Sequence, residues 1–352
     1  MLTVLSGAFA FTPVVGSDIG ITIETEDFAP LIWLHQDGCK VYHNAADGGQ
    51  ELVERVENYA FEGEQIKCPV LVMDKNGIEK VKDIYGGLSV PPGQDSGDFD
   101  IQVNCDEHGD QFDTDPDNYN ARIGEERINT YDPNDMRVYM CTFTVETPQS
   151  MYGEYFLSFV VEDLDGLTGS VDENQYFFLN PAVAVTVIGD VNFGTVRPGT
   201  NSYSDTLLIQ NSADDGSGVL LNMAISGTDF YDPTSSGAKC PTSNVLGLEN
   251  FAYYATNGAH KTNTNVAGRT NTVGQDGDDE GYFNIPYEVA DPDARAPIIE
   301  KDGKIKLNGK EFWAGNVLSP GAEIALTFRL ALPEPCNGDF NDGSLYFWGT
   351  AI

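Results

Sequence analysis

The sequence predicts an all-β protein with two antiparallel β-sandwich domains in tandem. The first reason is that apolar residues recur with period two along much of the chain, which is the spacing of a strand with one buried face. The second is that Gly, Pro, Asn and Asp close these stretches at intervals of roughly 8–12 residues, as in sandwich folds. The third is that helical patterns are scarce: the best, ELVERVENYAF (51–61), equally fits the entrance to a strand.

The clearest strand pattern is EIALTFRLAL. Ile324, Leu326 and Phe328 alternate in it with Thr327 and Arg329, so one apolar face and one polar face are expected. β-Branched and aromatic residues dominate four further stretches that end at turn residues. These stretches are CPVLVMDKNG (68–77), CTFTVET (141–147), YFLSFVVEDLDG (155–166) and SLYFWGTAI (344–352).

The domain boundary is predicted at Asn180-Pro181. The residue before a proline favours extended backbone, which suits a short, stiff junction between two sets of strands. This places one sandwich in residues 55–180 and the other in residues 181–352, with residues 11–54 as a leader.

Composition and the N-terminus predict a secreted or cell-surface protein without a membrane-spanning segment. The run LTVLSGAFAF is shorter than the ~20 apolar residues that span a bilayer. It fits the end of a secretory signal cleaved after Ala10, so residues 1–10 are expected to be a signal-peptide remnant, and a buried first strand is the alternative. The 55 acidic and 19 basic residues give a net charge of −36, which excludes nucleic acid or anionic lipid bound through a basic face. An acidic intracellular protein of a salt-loving cell would have a similar charge.

Six cysteines are spread along the chain, and the absence of a CxxC pair gives no support to a zinc or thioredoxin-type motif. An even number in a secreted chain indicates three disulfides, for which fifteen connectivities are possible. We expect the set that keeps the bridges within the predicted domains, namely Cys39–Cys68, Cys105–Cys141 and Cys240–Cys336.

The glycine-rich stretch DVNFGTVRPGTNSYSDTLLIQN (190–211) either holds a ligand or turns the chain. A phosphate-binding loop needs glycines that lead into a helix N-terminus, whereas Pro198-Gly199 leads into a strand pattern. The same arrangement recurs in LSPGAEIALTFRL (318–330), and Pro-Gly is typical of a type II turn with positive φ at the glycine. We therefore predict that the stretch turns the chain and holds no ligand.

Several of these motifs resemble those of known surface proteins. The run FGTVRPG from Phe193 to Gly199, followed by TLLIQN (206–211) and GVLLNMAISGTDF (218–230), resembles secreted β-sandwich modules of prokaryotic surface and fibre proteins, with TasA/camelysin-like biofilm fibre subunits as the nearest comparison. In the first half, VLVMDKNGIEKV and GEYFLSFVVEDLDGLTG resemble immunoglobulin-like repeats. The resemblance implies immunoglobulin-like or jelly-roll-like sandwiches and a structural role at the cell surface. TasA-like subunits generally have one domain, so the first sandwich departs from their pattern.

Acidic turns make Ca²⁺ the candidate cofactor, because this hard cation prefers oxygen ligands. DTDPDNYNARIGE (113–125) has aspartates at the first three ligand positions of an EF-type loop, although Asn118 replaces the glycine and Glu125 comes one position late. DGDDEG (276–281) has three acids and its glycine in place, but Tyr287 occupies the twelfth position. Aspartate and asparagine are also ordinary turn residues, which is the alternative explanation. The candidate metal ligands are Asp113, Asp115, Asp117, Asp276, Asp278 and Glu280.

No sequence motif predicts an enzyme. The chain lacks GxSxG, HExxH, GxxxxGK[ST] and GxGxxG. With 55 acids, carboxylate pairs at a glycosidase-like separation arise by chance, so a secreted hydrolase has no positive support. The four histidines have no metal-ligand spacing and are expected at the surface or in turns; they are His35, His43, His108 and His260.

The predicted role is a structural protein of the cell surface, as a subunit of a filament, sheath or S-layer that associates with copies of itself. In SDIGITIETED (17–27), Ile19, Ile21 and Ile23 share one face of a strand, and a terminal strand of this kind can complete the sheet of a neighbouring subunit. Such head-to-tail contacts do not form closed rings of subunits, so they build filaments. Pairing within its own chain is the alternative for this strand. The alternative function is an adhesin or glycan-binding protein, with FAYYATNG (251–258) as the predicted aromatic surface.

Overall fold

The protein consists almost entirely of β-strands, which confirms the predicted fold class. The computed structural model describes residues 23–42, 58–90, 99–108, 113–120, 129–171, 175–262, 281–288, 295–300, 303–307 and 310–352. Within these ranges the only helices are one short α-helix and three 3-10 turns; they are α1 (Asp117–Asn120), Ile78–Lys80, Leu248–Asn250 and Ala314–Asn316.

The strands are numbered in chain order. Those of the first half are β1 (Leu31–Leu34), β2 (Lys40–Tyr42), β3 (Tyr59–Ala60), β4 (Gln65–Met73), β5 (Val81–Ser89), β6 (Ile101–Glu107), β7 (Met136–Thr144), β8 (Gly153–Asp163), β9 (Thr168–Val171) and β10 (Tyr176–Leu179). Those of the second half are β11 (Val185–Ile188), β12 (Asn201–Tyr203), β13 (Leu207–Asn211), β14 (Leu221–Gly227), β15 (Phe230–Tyr231), β16 (Val245–Leu246), β17 (Phe251–Asn257), β18 (His260–Lys261), β19 (Phe283–Asn284), β20 (Ala296–Pro297), β21 (Lys304–Leu307), β22 (Lys310–Trp313), β23 (Val317–Leu318), β24 (Glu323–Ala331) and β25 (Leu345–Ala351). The helix candidate at 51–61 lies mostly outside the described residues, and its end contributes β3.

Ten strands of the first half form one continuous sheet. Its order is β1-β4-β7-β6-β5-β8-β10-β3, with β2 beside β4 and β9 beside β8. Strand β6 changes partner midway, because residues 101–104 pair with β5 and residues 105–107 pair with β7. A strand shared in this way lets a sheet fold over into two packed layers. The layers touch at Gly86, where a Cβ atom would meet the rings of Phe143 and Phe159.

The facing sides of these layers form the first core. Val70 and Val72 of β4 face it from one layer, and Phe159 and Val161 of β8 face it from the other. Strands β1 and β2 pair with β4, so residues 31–42 of the predicted leader are part of this sheet.

All three predicted disulfides are present: Cys39–Cys68, Cys105–Cys141 and Cys240–Cys336. Cys68 lies directly opposite Cys141 on β4 and β7, and Cys105 lies opposite Cys141 on β6. Two bridges therefore form one row across the first sheet, and each joins neighbouring strands. The third bridge closes the longest loop, with a sequence separation of 96 residues.

Two facing sheets enclose the second core. The seven-stranded sheet has the order β11-β13-β24-β17-β18, with β12 beside β24 and β19 beside β17. In the four-stranded sheet, β14 pairs with β25 along one side and with β20 and β23 along the other. Leu326 and Phe328 of β24 meet Met223 and Ile225 of β14 in the buried space between the sheets.

Strand β24 confirms the alternation predicted in EIALTFRLAL, but one residue of its polar face is buried. Arg329 has a relative exposure of 0%. The ring of Tyr282 lies over its guanidinium group, 5.3 Å from Cζ to the ring centroid. The alternation of apolar and polar residues thus assigned Arg329 to the correct face of the strand. It could not indicate that another side chain covers that face at Arg329.

Both predicted Pro-Gly turns are present. Gly199 has φ of 77° and Gly321 has φ of 78°, the left-handed values that a type II turn requires of its third residue. Strand β12 follows the first turn and strand β24 follows the second.

The predicted boundary at Asn180 is a densely bonded junction. Asn180 has φ of 52°, a conformation that asparagine adopts more readily than most residues. Its Oδ1 accepts the backbone N–H of Glu62 at 2.7 Å, and its Nδ2 donates to the carbonyls of Glu146 and Met151 at 2.8 and 2.7 Å. Both N–H donors and the oxygen of one amide thus hold three chain segments together.

The two cores are in contact at this junction. Tyr59 and Phe178, both from before the predicted boundary, pack in the second core. The hydroxyl of Tyr59 donates to the carbonyl of Ile352 at 2.7 Å. The division into two tandem domains remains a prediction.

Candidate functional site

A cleft of about 830 Å³ lies between the two sheets of the second half. Its walls come from the ends of β11, β13, β24, β17 and β25, and the segment 189–196 closes one side. Apolar side chains form part of the walls, among them Val187, Phe193, Leu207, Leu330, Leu345 and Phe347.

The strands beside this cleft have unpaired edges. Within the described part of the chain, β11 pairs only with β13, and β25 pairs only with β14. A strand edge without a neighbour presents free backbone N–H and C=O groups, which can pair with another strand. Six of the seven residues of β25 are partly buried and Thr350 is exposed, and Val187 and Ile188 of β11 are 47% and 46% exposed. Free backbone groups and partly covered apolar side chains therefore occur at the same place.

The segment 189–196 does more than turn the chain, which corrects the sequence analysis. Val191, Phe193 and Val196 pack against the second core, and Phe193 lies 5.9 Å from the ring of Phe251. Glycine was taken there as a sign of a turn. The valine and phenylalanine residues placed between the glycines were the signal that the segment covers apolar surface.

Polar atoms form about half of the surface that the cleft exposes. Side chains of Asp190, Asn192, Asp339 and Asn341 contribute to it. The backbone N–H of Asp339 donates to the carboxylate of Asp232 at 2.9 Å, so part of this wall is fixed by an internal hydrogen bond. The prediction that the chain is not an enzyme stays a prediction.

The predicted calcium ligands at 113–117 lie in a turn with internal hydrogen bonds. Asp113 accepts the N–H of Asp115 at 2.9 Å through Oδ1, and its Oδ2 contacts Nε2 of His35 at 3.3 Å and Nδ2 of Asn118. Burial acts to raise the pKa of Asp113, but these donors outweigh it and lower the pKa. Asp115 in turn accepts the N–H of Asp117 at 3.1 Å. The carboxylates thus serve the turn itself.

The second set, Asp276, Asp278 and Glu280, lies outside the described residues. Tyr287, at the twelfth position of that loop, donates its hydroxyl to Asp229 at 2.6 Å. In the described ranges, no three His, Cys, Asp or Glu side chains come together as a metal-binding group. Calcium binding remains a prediction.

The prediction of surface or turn positions for the histidines is confirmed for His108, which is exposed, and for His35, which begins a turn in which the N–H of Gly38 donates to its carbonyl at 2.8 Å. His35 is only 7% exposed and packs edge-on against the ring of Tyr119, with 5.2 Å between ring centroids. His108 is exposed, His260 is partly buried, and His43 lies outside the described residues.

Aromatic rings cluster where FAYYATNG was predicted to present them. Tyr254 of β17 lies 5.8 Å from Tyr282, and Tyr282 lies 6.0 Å from Tyr203. Tyr203 is 55% exposed. The cluster lies on the outer face of the seven-stranded sheet, because Tyr254 alternates with buried Tyr253 along β17.

Comparisons with known proteins place the chain in no family. No family model matches it, and no curated protein matches it. The C-terminal domain of the Streptococcus agalactiae AgI/II polypeptide BspA is 11% identical with a TM-score of 0.31, covering 92% of this chain and 97% of that one. The serine-rich repeat protein Srr2 of Streptococcus agalactiae is 10% identical with a TM-score of 0.16, covering 90% and 94%. We draw nothing from likenesses of this size, and the resemblance to TasA/camelysin-like proteins stays a prediction.

No helix in the described ranges is both long and apolar enough to cross a bilayer.

Proposed function

We propose that this protein is an extracellular structural protein, a subunit of a surface filament, sheath or S-layer that assembles by strand exchange between copies. One observation supports the proposal: a cleft with apolar side chains in its walls lies beside two sheet edges that have no neighbouring strand among the described residues. An incoming strand there would gain backbone hydrogen bonds from an edge and apolar burial from the cleft. Three disulfides, which persist in oxidising compartments, support the extracellular location.

The proposed occupant is the segment 17–25 of another copy. Its isoleucines alternate, so that one face is apolar, and Ile23, the first described residue, is 80% exposed. At about 3.3 Å per residue the nine-residue segment is about 30 Å long when extended. It is therefore long enough to run along the whole of β25.

Val187 provides a direct test, with Ile188 as its matched control. Both lie on β11 with nearly equal exposure, but only Val187 lines the cleft. We expect V187E to prevent polymer formation, because a carboxylate would face the apolar strand. I188E makes the same charge change on the opposite strand face, and we expect it to leave most polymer intact. Electron microscopy and sedimentation of purified protein measure both.

Deletion of residues 11–25 tests the donor segment. The shortened protein should remain folded and monomeric. It should bind an added synthetic peptide of residues 17–25 at the cleft. Undiminished polymer formation after the deletion would refute the strand-exchange proposal. Monomers at every concentration of the intact protein would refute assembly itself.

Calcium dependence is the second part of this proposal. A net charge of −36 causes repulsion between copies, which a bound divalent cation would reduce. The candidate loops are those containing Asp113 and Asp276. At Asp113 the cation would have to displace the donors of His35 and Asn118. Polymer yield with Ca²⁺, with Mg²⁺ and with a chelator, compared between the intact protein and D113N/D115N, tests this part.

Glycan binding is the second candidate function, favoured by aromatic side chains on the outer sheet faces. Tyr203 with Tyr254 and Tyr282 forms one such surface. Flat rings of this kind can stack against the C–H face of a sugar. A glycan array probed with the intact protein and with Y203A tests this function, and no binding to any glycan would refute it.

A further inference from the structure

The outer face of the four-stranded sheet carries a second aromatic surface, formed by Arg295, Tyr346 and Trp348. Tyr346 and Trp348 alternate with core-facing Phe347 along β25, so they share the outer face. Their ring centroids are 5.9 Å apart and their planes are tilted by 32°. Trp348 donates its Nε1–H to the hydroxyl of Ser226 at 3.1 Å, and this bond fixes the orientation of the indole.

Arg295 stacks on this surface, and no acidic side chain of the described residues pairs with it. Its guanidinium carbon lies 3.6 Å from the ring centroid of Trp348. In the described part of the chain no carboxylate forms an ion pair with it, and its buried Nε has no hydrogen-bond acceptor.

A stacked guanidinium is well suited to bind a carboxylate. Stacking uses the face of the group and leaves its N–H bonds directed outward in the plane, where a carboxylate can accept two of them. Beside it, Tyr346 offers a half-buried ring and a hydroxyl group. One ligand can therefore meet a positive charge and a flat apolar surface at the same time.

We propose that this surface binds a carboxylated sugar, a hexuronate unit of an acidic polysaccharide. Its carboxylate would pair with Arg295, and the C–H face of its ring would lie on Tyr346, where the negative face of the aromatic ring attracts C–H groups. This inference deepens the glycan-binding candidate function and is independent of filament assembly.

The test measures binding of a short oligogalacturonate by calorimetry in about 0.15 M NaCl, where the Debye length of about 8 Å screens the negative charge of the rest of the protein. We expect R295Q to weaken binding about 10- to 100-fold, the effect of losing a charge-assisted hydrogen-bonded pair. R197Q makes the same charge change at an exposed site elsewhere, and should leave the affinity unchanged. R295K keeps the charge but loses the planar fork, and should bind at an intermediate level.

Three results would overturn the inference. The first is equal affinity of the intact protein and R295Q for the oligogalacturonate. The second is equal affinity for a neutral galactose oligomer or for a glutamate peptide, because the proposal requires both the carboxylate and the sugar ring. The third is no binding of the oligogalacturonate. If neutral glycans bind in that case, the glycan-binding function stands and only this site fails.

Discussion

The asparagine at the junction gives the sharpest stability prediction. N180A removes an amide that accepts one hydrogen bond from Glu62 and donates two, to Glu146 and Met151. It also places alanine, which has a Cβ atom but no polar side chain, at φ of 52°. Both effects destabilise the folded state, and they can be separated by a second variant.

The magnitude follows from the contacts. Three hydrogen bonds at about 1 kcal/mol each account for about 3 kcal/mol. The left-handed backbone costs alanine about 1–2 kcal/mol, a cost that glycine does not incur. We therefore expect N180A to lower the free energy of unfolding by about 4–5 kcal/mol and N180G to lower it by about 3 kcal/mol.

Urea unfolding followed by tryptophan fluorescence measures these differences. N180D is the nearly isosteric comparison: its carboxylate still accepts the N–H of Glu62 but faces two carbonyls that need donors, so it should be at least as unstable as N180A. If N180A and N180G both unfold within about 1 kcal/mol of the unchanged protein, the junction is not held by this amide, and the reasoning fails.

Three further predictions concern other parts of the fold. Asp74 is fully buried with one oxygen lacking a hydrogen-bond donor, and burial raises its pKa above 3.8. The stabilisation that comes from protonated Asp74 is present below the unfolded-state pKa of 3.8 and is lost as the pH rises. From about pH 3 to pH 7, D74N should therefore gain stability relative to the unchanged protein. Urea unfolding at both pH values measures this gain, and no gain is expected if the carboxyl is solvated. A Cβ at Gly169 would lie 2.0 Å from a backbone carbonyl oxygen, so G169A should lower the free energy of unfolding by about 1–3 kcal/mol. G237A is the control, because a Cβ there meets nothing closer than 3.9 Å, and it should lower the free energy of unfolding by less than half as much. Thermal unfolding measures both. Removing the Cys240–Cys336 bridge as a double alanine variant should cost about 4–5 kcal/mol, because its 96-residue loop restricts the unfolded chain; a loss below that of the 29-residue bridge would contradict this explanation.

Local patterns were sufficient to predict the strands and turns. Alternating side chains mark β24 because one strand face is buried, and the positive φ at Gly199 and Gly321 follows from Pro-Gly chemistry. The disulfide pairing was also predictable, since bridges between residues of the same half close the shorter loops.

The candidate sites depended on long-range packing that local patterns do not encode. The cleft exists because β11 and β25 are the last strands of two different sheets, which is a property of the topology. Arg295 stacks on Trp348 across a sequence separation that no short motif spans. Aspartates at EF-type spacing could not indicate that Asp113 contacts a buried histidine 78 residues away.

The row of cystines across the first sheet has a mechanical meaning. Strands β2 and β4 are covalently tied by one bridge, and β7 and β6 by the next, at positions that face each other in the ladder. A force that stretches the polypeptide can separate hydrogen-bonded strands only as far as the nearest disulfide. Beyond that point a covalent bond bears the force. The bridged part of the first sheet would therefore lengthen little under load.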